Sequence, residues 1–393
     1  MSQLPGLPSI GDARSRLCEL RDVCFTVDGG VEFFVDEALE AAAPAGLRAE
    51  RVLRVYAGAH AFLTTRALWS PVFVRGPRPA ARDFAPDDRV FVLDELSYAE
   101  NYAHLLIDDI FPALGAADAF GYDARDVQLV GTGECVRSPN ARLKLYDGGR
   151  ADDACRANVA RWVPALLSYP YAAPPFHRAW CARRLLVGAA PSFSLSSTSP
   201  GRAALARAAR EAAHSRAGVP PAAPLAAHTI LVLVKKPLAM GVLYPELCRD
   251  VRAWAARLAP APAVVCVTPA DMGVREQLEV MANATVYVAE AGSTGYGAAL
   301  FGRAGAVFLS LMPLAAFDNT TARFAKEALT ADSTTAHFAK EGQVFLFVAD
   351  VQVLYIEVAD VLAPGGGEGV LFFALERAGA RLNLAPVERG APR

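Results

Sequence analysis

With 393 residues, 53% of them hydrophobic and 20% charged, and a formal net charge of −2, the chain has the composition of a folded globular protein long enough for two domains. Its basic residues are scattered in short groups such as "CARR" and "VKKP", which excludes a long cationic face following a nucleic-acid backbone. No run of about 20 largely apolar residues offers a membrane span. Val344 to Ala363 comes nearest, but Asp350, Gln352, Glu357 and Asp360 interrupt it, so it reads as one or two core strands.

The N-terminus, "MSQLPGLPSIGDARSRLCEL", lacks the basic start and apolar middle of a signal peptide. The protein is therefore expected in the cytoplasm unless a targeting segment lies outside this chain. "VCFTVDGGVEFFV" then sets Asp28-Gly29-Gly30 between two strand-like runs, a hairpin signal. Further short strands are expected in "RVLRVYAGAHAFLTT", "PVFV" and "DRVFVLDE". From Tyr98 the period becomes helical, and "DVQLVGTG", Asp126 to Gly133, reads as a buried strand closed by a glycine turn. An α/β arrangement starts here.

"RRLLVGAAPSFSLSSTSPGR" begins as a strand and dissolves into a loop, and "RAALARAAREAAHSRAG" is an Ala/Arg helix with a glycine stop. The Pro/Ala segment 219–227 is stiff and polyproline-like. It is expected to link an N-terminal α/β domain, residues 1–218, to a second domain, residues 228–364. In that second domain continuous apolar strands ("HTILVLVKKP", "AVVCVTP", "TVYVAEAG", "AVFLSL") alternate with helices. The alternation predicts a parallel sheet covered on both faces, hence a Rossmann-like domain. Residues 365–393 form a tail.

Three constellations could carry chemistry. In "SYAENYAHLLIDDIFPAL" the side chains of Asn101, His104 and Asp108 are spaced i, i+3, i+7 and share one face of an expected α-helix, while Leu105, Ile110 and Leu114 can face the core. The cluster is either a hydrogen-bonded knot or an acid-base pair, in which a carboxylate beside a neutral imidazole serves as general base. The second constellation is the turn after the strand ending in Glu290. It holds Gly292, Ser293, Thr294, Gly295 and Gly297, and backbone N–H groups with hydroxyls at a helix start suit a diphosphate or another anion. Its order is GxxGxG and not the dinucleotide fingerprint, so the glycines equally fit close strand-to-helix packing. Third, Lys235 and Lys236 follow the strand "TILVLV", at the edge where ligands of open α/β sheets bind. Arg275 lies two elements later, and lysine as a point charge with arginine as a bidentate partner would clamp a phosphate.

The seven cysteines, at 18, 24, 135, 155, 181, 248 and 266, show no CxxC pair and no metal-ligand spacing. They are expected as buried side chains, though an oxidising compartment would allow bridges such as Cys18 to Cys24. Two sequons, at Asn283 and Asn319, carry meaning only in a secretory lumen. No GxSxG elbow, HExxH, P-loop or Asp-x-Asp pair is present.

With these residues in view, the chain resembles the family 61 glycosyltransferases. In that family a helix carries Asn-x-x-His-x-x-x-Asp and then a proline, matched here by Asn101, His104, Asp108 and Pro112. Asp109 keeps the family's spacing to the proline and Asp108 keeps its spacing to the histidine. Glu276-Gln277, the strand "TVYVAE" and Leu300-Phe301 also match, and Lys235-Lys236 stands where the family often has an arginine. The family's His-Gly-Ala-Gly turn falls on Gly292-Ser293-Thr294-Gly295, so its histidine is absent and only the last glycine is kept.

The resemblance implies a GT-B fold, two Rossmann-like domains facing a cleft, with the first on the acceptor side and the second holding a nucleotide-sugar. It implies an inverting transferase that needs no metal or other cofactor and works on a nucleotide-diphosphate donor, UDP-linked in the first instance. The acceptor would be a hydroxyl of a glycan or glycoprotein in the lumen of the Golgi or endoplasmic reticulum. Asp108 or Asp109 would be the base beside His104 and Asn101. Lys235, Lys236, Arg275, Ser293, Thr294, Gly295, Gly297 and Glu290 would line the donor site. A catalytically silent relative that binds a glycan or a partner is the competing expectation, favoured by the altered turn. An NAD-dependent dehydrogenase is disfavoured because "VLVKKPLAMG" supplies no glycine fingerprint.

Overall fold

The computed structural model describes residues 17–35, 55–56, 68–69, 72–75, 80, 83–85, 88–94, 96, 99–100, 102, 105–131, 148–188, 200–220, 228–234, 246–259, 261–290, 300–312, 352–357 and 385–386. The chain divides into two compact units, Met1–Ser197 and Thr198–Arg393. It is mixed α/β with parallel strand pairing in both units.

In the first unit, β1 (Leu17–Phe25) and β2 (Val31–Val35) form the expected hairpin. Gly29 supplies a positive φ of 85° in its turn. The short pair β3 (Val55–Tyr56) and β4 (Leu68–Trp69) stands apart in a two-stranded sheet. With β5 (Val72–Arg75), β6 (Val90–Asp94), β7 (Val127–Gly131) and β8 (Trp180–Gly188) the sheet has six strands in the order β5-β2-β1-β8-β6-β7. The sheet is mixed: β1 runs antiparallel to β2 and β8, whereas β8, β6 and β7 are mutually parallel. Helix α1 (Phe111–Ala119) follows β6, and α2 (Gly148–Leu166) follows β7. Such crossovers are what parallel neighbours require. Val23, Phe25, Leu93, Val130, Ala182, Leu185 and Val187 build the core on one face. Each fully buried side chain of this size contributes roughly 1.5–3 kcal/mol.

The cysteines depart from expectation. Cys24 bonds to Cys181 and Cys248 to Cys266, and Cys155 is also disulfide-bonded. A Cys18–Cys24 bridge is ruled out by strand geometry: both lie on β1, six residues apart, which at about 3.3 Å per residue is roughly 20 Å. Cys24 instead faces Cys181 in the β1–β8 register.

The second unit opens with α3 (Pro200–Arg216), stopped by Gly218 at a φ of 65°. The division of the chain comes before α3, ahead of the Pro/Ala segment 219–227. The reason is packing: Ala209, Arg210 and Ala213 are buried, and Arg210 Nη1 donates to the Gly302 carbonyl at 2.9 Å. Strands β9 (Thr229–Leu233), β11 (Ala263–Val267), β12 (Val286–Glu290), β13 (Val307–Met312) and β14 (Gln352–Glu357) form a parallel sheet in the order β11-β9-β12-β13-β14. The two-residue strands β10 (Leu258–Ala259) and β15 (Ala385–Pro386) pair separately.

Helix α4 (Leu247–Ala255) packs Leu247, Val251 and Trp254 on the face made by Ile230, Val232, Val286, Val288, Val307 and Leu309. Helix α5 (Val274–Asn283) lies on the opposite face, where the Tyr287 hydroxyl donates to its Met281 carbonyl. Burial on both sides explains the continuous hydrophobic runs of β9 and β12, whereas β11, at the edge of the sheet, is partly exposed despite its apolar sequence, with Val265 36% exposed.

Candidate functional site

Counted within the second unit, the strand order is 2-1-3-4-5, so the direction of chain growth across the sheet reverses between β9 and β12. In an open α/β sheet such a reversal leaves a crevice outside the carboxyl ends of the two strands, because their connections leave to opposite sides. The register pairs Leu233 with Ala289 there. Lys235 and Lys236 follow β9 directly, and the Gly292 to Gly297 turn follows β12. These lysines, together with Ser293, Thr294, Gly295 and Gly297, lie outside the described residues. The Glu290 backbone pairs with Leu311 at the end of β12.

Arg275 stands in the first turn of α5, which starts after the carboxyl end of β11, next to β9. Arg275 thus stands at the carboxyl edge of the sheet. Its Nε is held at 2.8 Å by Glu279 in an exposed i,i+4 pair, worth only about 0.3–0.5 kcal/mol. The guanidinium can therefore turn to an anion at little cost. Gln277, part of the Glu-Gln signature, is structural. It is buried, and its Nε2 donates to the carbonyls of Pro269 at 2.7 Å and Met272 at 3.2 Å, closing the loop before α5.

Residues 300–303, which follow the glycine turn in sequence, are held by side chains that the sequence reading missed. Leu300 and Phe301 are buried. A Cβ at Gly302 would lie 2.7 Å from the Tyr287 hydroxyl oxygen, so the close approach requires glycine. That hydroxyl accepts the Arg303 N–H at 3.1 Å. Burial raises the Tyr287 phenol above its ordinary range, so it stays a neutral donor and acceptor. From α3, Arg210 holds the Gly302 carbonyl. His214, one helical turn along α3, hydrogen-bonds the Phe301 backbone, and burial and the Arg210 charge lower its pKa.

In the first unit the polar helix departs from an α-helix. Leu105–Ile110 is wound as a π-helix, and α1 begins only at Phe111. Single π turns recur at functional sites because they re-aim side chains. The winding of Leu105–Ile110 thus differs from the regular α-helix on which the i, i+3, i+7 spacing is read. Asp109 is 1% exposed. Asn101 and His104 lie outside the described residues, and so does the Asp108 side chain.

Helix α2 grips the start of this segment. The Asn158 side-chain Nδ2 donates to the carbonyls of Ala99 and Glu100, each at 2.9 Å, and one turn on Trp162 stacks on Tyr102 with ring centroids 5.6 Å apart. A further acid also enters. Asp94, 2% exposed, ends β6, where the parallel trio β8-β6-β7 has its own reversal of strand order between β6 and β8. An aspartate closing the apolar run "VFVLD" was the available signal for it.

No protein-family model matches the chain, and no curated protein matches it at a significant level.

Proposed function

We propose that the chain is a metal-independent, inverting glycosyltransferase of GT-B type, related to family 61. On this reading the first unit takes the acceptor and the second a nucleotide-diphosphate sugar, UDP-linked in the first instance. The observation that carries the proposal is the reversal between β9 and β12. Two lysines and a glycine-hydroxyl turn, chosen from sequence as a diphosphate site, follow the two strands that border it.

The chemistry would be a single displacement. Asp108 or Asp109 takes the proton of the acceptor hydroxyl, and the oxygen bonds to the anomeric carbon. The bond from that carbon to the diphosphate breaks on the opposite face. The charge left on the diphosphate falls to Lys235 or Lys236, Arg275 and the N–H groups of residues 294–297. Each such donor typically contributes about 100-fold to 1000-fold in rate. The family's histidine is missing from the turn, which favours a second reading: a silent relative that binds a glycan or a partner through the same residues.

Transfer assays with a panel of nucleotide sugars separate the two. Asp108→Asn and Asp109→Asn are made in parallel, and loss of the base should slow one of them by at least about 100-fold at unchanged melting temperature. Full activity in both would remove the helix from the mechanism. A lumenal location in the secretory pathway also belongs to this proposal. The disulfides of the first and second units support it, since such bonds persist in oxidising compartments.

A further inference from the structure

The sequon Asn283-Ala284-Thr285 sits where α5 ends and β12 begins. Within these three residues the chain turns from helix to strand. Asn283 is exposed, whereas Ala284 and Thr285 are buried at 0% and 7%. Thr285 is fully used by the fold. Its Oγ1 donates to the Thr229 carbonyl at 3.1 Å and accepts the Thr229 N–H at 3.2 Å, and its own N–H donates to the same carbonyl at 2.8 Å.

Two consequences follow. A glycan on Asn283 would project into solvent without displacing a core group. It would also stand at the amino edge of the parallel sheet, because α5 runs back from the carboxyl edge at Arg275 to the amino edge at Asn283. Ten residues of helix, about 15 Å, separate it from the edge that carries the candidate donor residues.

We propose that Asn283 is an N-glycosylation site of this protein, modified before the second unit folds. The disulfides Cys24–Cys181 and Cys248–Cys266 point to the oxidising lumen in which this modification occurs. The co-reactant is a lipid-diphosphate oligosaccharide, supplied by the host's oligosaccharyl transferase. The Asn283 side-chain nitrogen bonds to the anomeric carbon of that oligosaccharide, its bond to the diphosphate breaks, and the amide proton leaves to a base. The order of events comes from Thr285. Sequon recognition needs its hydroxyl, and in the folded chain that hydroxyl is engaged with β9. The inference rests on the lumenal location proposed above and not on the transferase chemistry.

The test is mass spectrometry of the full chain isolated from the cells that make it, digested with and without release of N-glycans in heavy-oxygen water. The expected result is conversion of Asn283 to aspartate carrying the heavy oxygen. Asn283→Gln should lose one glycan's mass and keep its melting temperature, because Thr285 and its bonds to Thr229 are intact. Refolded bacterial protein offered to detergent-opened microsomes should stay unmodified at Asn283, whereas the chain translated into sealed microsomes behind an added signal peptide is modified; modification of the refolded protein would overturn the order of events. A bare Asn283 in the native chain overturns the proposal, whether the Cys24–Cys181 bond is present in the same digest or not. With the bond present the site alone fails, and with it absent the compartment fails as well.

Discussion

Asn158 on α2 reaches the Glu100 backbone carbonyl at 2.9 Å, and the same nitrogen reaches the Ala99 carbonyl at 2.9 Å. Two successive carbonyls ahead of a π-helix thus take both hydrogens of one amide. Because both partners are acceptors, the side chain must present its NH₂ and cannot be turned over.

Replacing Asn158 should therefore act on the polar helix. Asn158→Leu leaves two carbonyls in a buried setting without their donor, at about 1–3 kcal/mol each. Asn158→Asp is nearly the same shape but sets a carboxylate against them and should be worse. At roughly 2–4 °C per kcal/mol for a domain of this size, thermal melting should separate wild type, Leu and Asp in that order. Peptides covering 99–110 should gain hydrogen exchange before the β1–β8 pair does. Equal melting and exchange in all three would show that α2 does not hold this segment.

Gly302 packs against the ring of Tyr287, with a Cβ position 2.7 Å from the hydroxyl oxygen and 2.9 Å from the ring carbon that bears it. The ring is fully buried and cannot swing away. Gly302→Ala should cost about 1–3 kcal/mol by overpacking. On the proposed function it should also weaken UDP binding, since residue 302 follows the glycine turn closely in sequence. Denaturant unfolding and calorimetry on the same preparation check both. A fully stable Gly302→Ala with unaltered UDP affinity would disconnect residue 302 from the turn.

His214 gives the second unit a pH dependence whose sign is fixed. Burial, then the Arg210 charge, lowers its pKa from 6.5, against the Phe301 backbone bond and Glu211. Below about pH 6.5 the unfolded chain binds a proton that the folded chain refuses, so stability falls as pH drops from 6.5 toward the lower folded value. Below that value this contribution is constant. His214→Gln should flatten the slope in this window while Arg210 stays paired with Gly302. An unchanged slope would place the titration elsewhere.

The parallel sheet was legible because buried strands are apolar without alternation, and the β1–β2 hairpin because Asp28-Gly29-Gly30 supplies its turn. The pairing of Cys24 with Cys181 was not, for it depends on the register of strands 157 residues apart. The same limit hid Asn158, whose partners are backbone carbonyls of residues 99 and 100 and leave no pattern in sequence. The π winding at Leu105–Ile110 was not legible either, because an α-helical period read locally does not distinguish the two windings. The packing of α3 was hidden for a related reason. Its Ala/Arg face shows no preference for either side until Arg210 meets the Gly302 carbonyl.

Calorimetric titration of the full chain with UDP, GDP and NAD tests the proposed diphosphate site at the β9/β12 reversal most directly. Each titration contains a metal chelator, and wild type is run beside Arg275→Ala. Micromolar binding of UDP or GDP is predicted, with none for NAD. Arg275→Ala should bind roughly tenfold more weakly, as expected for loss of one charge-assisted hydrogen bond. Failure of both UDP and GDP to bind, or binding that appears only when a divalent ion is supplied, would contradict a metal-independent transferase.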